Sequence, residues 1–113
     1  MKKFLSLLLV LCIAMSMLPV TAAAIGDVAL IGLPGEPFTG IGRALKRCPG
    51  WALVLPCCIT NGYEGYFPMR EAYDEGGYEA RSSVYAPGVA ERLIEDGAAL
   101  LDALKREMGG EAP

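Results

Sequence analysis

Two groups of residues carry the oxygen chemistry of this chain. Glu36 stands in the run Leu33-Pro34-Gly35-Glu36, and Tyr63, Tyr66, Tyr73 and Tyr78 crowd the stretch Asn61 to Glu79, which reads N-G-Y-E-G-Y-F-P-M-R-E-A-Y-D-E-G-G-Y-E. A carboxylate beside phenols can act as hard oxygen ligands to a divalent cation. A phenol can also donate to a developing oxyanion. Glycine lets backbone approach closely, and tyrosine couples an apolar ring to a polar tip. That mixture suits the wall of a site. Read structurally, the same residues would be turn carboxylates and packed rings.

The elements that must position these groups are short. Asp27 to Leu33 is an aliphatic run bounded by Gly26 and by Pro34-Gly35, which predicts a buried strand ending just before Glu36. Ile41 to Arg47 reads as a short helix with Thr39 as its N-cap and cations at its end, stopped by Pro49-Gly50. Trp51 to Ile59 reads as a second strand, apolar enough to be buried on both faces, with an irregularity expected at Pro56. Strand, helix and strand make one β-α-β unit. In open α/β sheets ligands sit beyond the carboxyl ends of the strands, so Glu36 and the tyrosine-rich stretch fall on one edge.

A last helix is predicted from Pro87 to Met108, with Val89, Leu93, Ile94, Leu100, Leu101, Leu104 and Met108 on one face. Gly97 within that face marks a close crossing. The fold class is therefore α/β: a partial β-α-β unit of a larger mixed sheet plus a C-terminal amphipathic helix. The core is thin for an independent domain of this size.

Residues 1–24 read as a secretory signal peptide. Lys2 and Lys3 precede a nearly continuous apolar run from Phe4 to Leu18, and Ala22-Ala23-Ala24 supplies a small-residue cleavage site, so the mature chain would start at Ile25. A secreted or extracytoplasmic location follows. The formal net charge of −3 and the absence of a basic patch interleaved with aromatics exclude nucleic acid as the expected partner. Cys48, Cys57 and Cys58 are an odd set in the mature chain and no histidine exists to join them, so they are expected to be buried packing residues.

Leu33-Pro34-Gly35-Glu36, then Asn61-Gly62-Tyr63-x-x-Tyr66, then Tyr73 and Tyr78-Glu79 together resemble the end of the catalytic domain of neutral/alkaline (non-lysosomal) ceramidases, secreted zinc amidases that hydrolyse the N-acyl bond of ceramide. The resemblance extends from about Gly26 to Lys105. It implies Glu36 and Tyr66 as zinc ligands and Tyr78 as the donor to the amide oxygen. The family's two histidine ligands lie upstream of these blocks, and this chain has no histidine. Phe67-Pro68-Met69 also replaces the Thr-Thr common after the second tyrosine. The expectation is a truncated or split ceramidase-like amidase, residues 25–113, carrying part of the metal site and inactive alone. It would need the missing N-terminal catalytic segment as a partner to meet a lipid amide. The alternative is a small secreted α/β binding protein that reuses the scaffold.

Overall fold

A computed structural model describes residues 2–3 and 20–109. Its first elements are β1 (Thr21–Ile25) and β2 (Val28–Gly32), an antiparallel hairpin in register from Thr21↔Gly32 to Ile25↔Val28. The two-residue connection turns on Gly26, at φ 59°, a conformation glycine enters without steric cost. β2 is the strand expected from the aliphatic run. β1 was not expected. It takes up the last four residues of the predicted leader, while residues 4–19 of that leader lie outside the described residues.

β4 (Leu53–Cys57) lies parallel to β2, with Val28↔Leu53 and Gly32↔Cys57 at the two ends of the register. The sheet order is β1-β2-β4, so the mixed α/β arrangement holds. Pro56 sits inside β4 opposite Ile31. It is tolerated because β4 is an edge strand, where a missing N–H need not face a partner. The expectation that this strand is buried on both faces is corrected. Val54 is 2% exposed, whereas Leu53 and Leu55 on the opposite face are 47% and 39% exposed.

Both longer helices pack on the same side of the sheet. α1 (Thr39–Leu45) buries Ile41 and Leu45, and a C-terminal helix (Val89–Gly109) buries Ala90, Leu93, Gly97 and Leu101 at three- and four-residue spacing. They close over Ala29, Ile31 and Val54 to form the core. Gly97 is where the long helix crosses. A Cβ there would stand 2.8 Å from Leu45 Cδ2 and 3.0 Å from Ile31 Cδ1, so only a residue without a side chain lets these elements approach. Thr39 is not the N-cap of α1. It is the first helical residue, and extended Phe38 holds the cap position without a side-chain bond, because its N–H donates to the Phe67 carbonyl at 3.2 Å.

The far end of the long helix is tied to the hairpin. Lys105 Nζ donates to Asp27 Oδ1 at 2.8 Å and lies 4.6 Å from the centroid of the Trp51 ring. That contact holds the Asp27 carboxyl below its ordinary value, by the hydrogen bond and the charge of Lys105. No helix among the described residues is long and apolar enough to cross a membrane.

Candidate functional site

β2 and β4 both end in loops, and backbone bonds knit those loops together. The Ile59 N–H donates to the Gly35 carbonyl at 3.0 Å, Thr60 to Leu33 at 2.9 Å, and Glu64 to Pro34 at 2.7 Å. Accommodating this path puts Ile59 at φ 50° and Asn61 at φ 61°. For a β-branched residue that is a strained conformation.

The two loops then pair directly. β3 (Glu36–Pro37) lies parallel to β5 (Tyr66–Phe67), with Glu36 opposite Tyr66 and Pro37 opposite Phe67. Glu36 N–H donates to Gly65 O at 2.8 Å and Phe38 N–H to Phe67 O at 3.2 Å. Pro37, which has no N–H, falls between these donors. A Cβ on Gly35 would collide with the Gly65 carbonyl oxygen and stand 2.8 Å from Phe67 Cε2. The glycine of the Pro-Gly-Glu turn is therefore what allows the two loops to touch.

Register partners on adjacent parallel strands project to the same side, so the Glu36 carboxylate and the Tyr66 phenol share a surface. They line an open cleft of about 330 Å³ with Pro37, Phe38, Thr39 and Glu79. A second cleft, about 490 Å³, shares Glu36 to Thr39 and runs along α1 past Arg43 and Lys46. Two one-turn helices, α2 (Ala72–Glu75) and α3 (Tyr78–Ser82), follow β5. The long helix Val89–Gly109, α4, follows them. Tyr78 opens α3 and sets its ring edge-on to Tyr66, with centroids 5.9 Å apart and an interplanar angle of 79°. The Tyr78 side stays open, at 69% exposure. Behind Tyr66, the Ser83 hydroxyl donates to its carbonyl at 2.9 Å.

The other tyrosines divide. Tyr63 lines neither cleft and is exposed, but the Glu36 carboxylate, as hydrogen-bond acceptor and as charge, together with desolvation pushes its phenol up to about 12. The family resemblance assigned Tyr63 no role. Tyr73 is a framework residue, its phenol donating to the Tyr85 carbonyl at 2.8 Å. Tyr85 lies beyond the tyrosine-rich stretch and was missed. Its hydroxyl donates to Glu64 Oε2 at 3.0 Å and its ring tilts against Phe67 at 5.2 Å, which braces β5 from behind. No local pattern marks it, since its partners are distant in the chain. The cysteines are free and contribute no ligand here. Cys48 and Cys57 are half-buried, but Cys58 is exposed, which corrects the expectation of three buried packing residues.

As a zinc site, this donor set does not suffice. Zinc in proteins takes at least three ligands, usually with nitrogen or sulfur among them. Here Glu36 offers a carboxylate and Tyr66 and Tyr63 offer phenols, there is no histidine in the chain, and among the described residues no group of three His, Cys, Asp or Glu side chains could hold a metal.

No family model matches the chain. It is, however, similar to a segment of several neutral ceramidases. Over 93 residues it is 33% identical to the neutral ceramidase of Mycobacterium tuberculosis, covering 77% of this chain and 15% of that protein. It is 30% identical to neutral ceramidase 3 of Arabidopsis thaliana, covering 74% and 13%, and 31% identical over 78 residues to neutral ceramidase B of Dictyostelium discoideum, covering 62% and 11%. The crystal structure of the Pseudomonas aeruginosa neutral ceramidase superposes with a TM-score of 0.71 at 24% identity, over 78% of this chain and 15% of that one. The chain thus spans 11–15% of the length of the curated relatives it matches.

Proposed function

We propose, from the premise that this chain is neutral ceramidase-like, that it supplies one wall of a zinc amidase site acting on N-acyl lipid amides and cannot act without a complementing segment. Glu36 and Tyr66 are the metal ligands of that wall, and Tyr78 is the donor to the amide oxygen as charge develops on it. Tyr63 stands near the Glu36 carboxylate and feels its charge. The complementing segment brings the nitrogen ligands that this chain lacks. When bound, zinc in such sites activates water and polarises the carbonyl. The chain is secreted; residues 1–24 act as its leader where cleavage precedes closure of the β1–β2 hairpin, and Thr21–Ala24 stay in β1 where it does not.

The observation that carries this reading is the register pairing of Glu36 with Tyr66, with the Tyr78 ring against Tyr66. A donor set of two oxygens, not the full complement, is what supports the half-site. The test is hydrolysis of N-acyl sphingosine by the purified chain, alone and together with the Mycobacterium tuberculosis neutral ceramidase lacking the segment matched to this chain. The expected result is no turnover alone and zinc-dependent turnover in the mixture. Chelator-sensitive turnover by the chain alone, or none in the mixture, would refute it.

A further inference from the structure

Among the described residues, the β1-β2-β4 sheet is covered on one face only. Ala29, Ile31 and Val54 point into the helices, so strand alternation sends Ala23, Ile25, Leu30, Leu53, Leu55 and Cys57 to the other face. On that face Ile25 is 78% exposed, Leu53 47% and Leu55 39%. A groove of about 250 Å³ runs across it between Thr21, Leu30, Cys57 and Thr60. The strands contribute no charged side chain to this surface. Contiguous apolar area of this kind marks an interaction surface.

We infer that this face is the seat of an apolar layer from the complementing segment of the amidase site, so that one docking event both finishes the sheet's core and closes the site. The inference rests on the functional reading above. Size argues against a second copy as the occupant. Three strands of five residues present a face of roughly 17 by 14 Å, on the order of 240 Å² in projection, whereas a stable interface buries about 800 Å² per partner. Two such faces alone fall well short. A larger polypeptide can cover the face and continue over the free edges of β1 and β4. The chain spans only 11–15% of its curated relatives, which leaves ample material for such a layer. The three strands bring no cation to this face, which disfavours an anionic lipid surface as the occupant.

The test uses the full chain and, as the probe, the Mycobacterium tuberculosis neutral ceramidase lacking its matched segment. Association is measured by sedimentation, and amide exchange in β2 and β4 is measured with and without the probe. A one-to-one complex with slowed exchange in both strands is expected. Leu55→Glu and Leu53→Lys, opposite in sign and placed where the free chain is solvated, should each weaken binding at least about ten-fold without changing the melt of the chain alone. Glu36→Gln should bind as tightly as the parent while losing hydrolysis. No complex, binding by both face variants as tight as the parent's, self-association through the face, or preference for phospholipid vesicles would each overturn the docking. If face-dependent binding occurs without hydrolysis, docking stands and the amidase reading falls. If hydrolysis survives both face variants, the reverse holds.

Discussion

Glu36 and Tyr66 are direct register partners across the β3–β5 ladder. Their spacing is thus set by backbone pairing, which lies near 4.8 Å between strands, and not by any ligand. The pair's position therefore depends on neither a metal nor a substrate. Such preorganisation is what functional sites require of their supporting elements.

The first expected outcome concerns Tyr63. Its phenol should titrate at about 12 against an ordinary value of 10.0, seen as a late step in ultraviolet absorbance. Glu36→Gln should bring that step back toward the ordinary value. The sign is that of a group whose folded value is raised: the stabilisation is fully present below the unfolded value and is lost as pH rises from 10.0 to about 12. A Tyr63 step unmoved by Glu36→Gln would show that another group holds the proton.

Within the complemented enzyme, Tyr78→Phe should lower kcat by about 10²–10³ if the phenol is the oxyanion donor, with little change in bound zinc. Tyr66→Phe and Glu36→Ala should instead deplete zinc, measured by metal analysis of the purified complex. A Tyr78→Phe variant that loses zinc but keeps its turnover per zinc would exchange the two roles.

Gly97→Leu should destabilise the chain by about 2 kcal/mol, because the added side chain must enter space held by Leu45 and Ile31. For a domain of this size the melting temperature should then fall by roughly 8–16 °C. A neutral result in a thermal melt would mean that α4 can lift away from the sheet.

Relief of strain should go the other way. Ile59→Gly removes a β-branched side chain from φ 50° and should stabilise by about 1 kcal/mol. The side chain is 52% exposed, so little burial is lost in exchange. Chemical denaturation would read the gain as a higher midpoint at unchanged slope.

Thiol labelling should distinguish the cysteines. Cys58 is exposed, whereas burial pushes the Cys48 thiol up and lowers its thiolate fraction. Mass spectrometry after brief exposure to a maleimide should find Cys58 modified well before Cys48.

Periodicity made β2, the core of β4, α1 and the long helix legible in the sequence, because each owes its place to an apolar stripe. The juxtaposition of Glu36 with the tyrosine-rich stretch was also readable, since it follows from where parallel strands end. Less was visible where tertiary pairing decides. β3 and β5 are two residues each, too short for any periodic signal, and they exist because the Leu33–Gly35 and Ile59–Glu64 loops bind each other. Tyr63 had no role in the family resemblance, and only the folding of that loop brings it under the influence of Glu36. β1 was hidden by its own composition: Ala22-Ala23-Ala24 satisfies a peptidase as readily as it satisfies an edge strand.

That overlap has a consequence in time. Every residue of Thr21–Ile25 is paired with β2, and Ala22 packs against the core, so the bond between Ala24 and Ile25 is a substrate only while the hairpin is open. A peptidase meeting the chain during export would release a two-stranded sheet with β2 as a raw edge. One arriving after the hairpin has closed would find that bond inside a ladder. On the leader reading proposed above, the alanine triplet would be a kinetic fork, at which the relative speeds of export and hairpin closure decide which of two sheets is made.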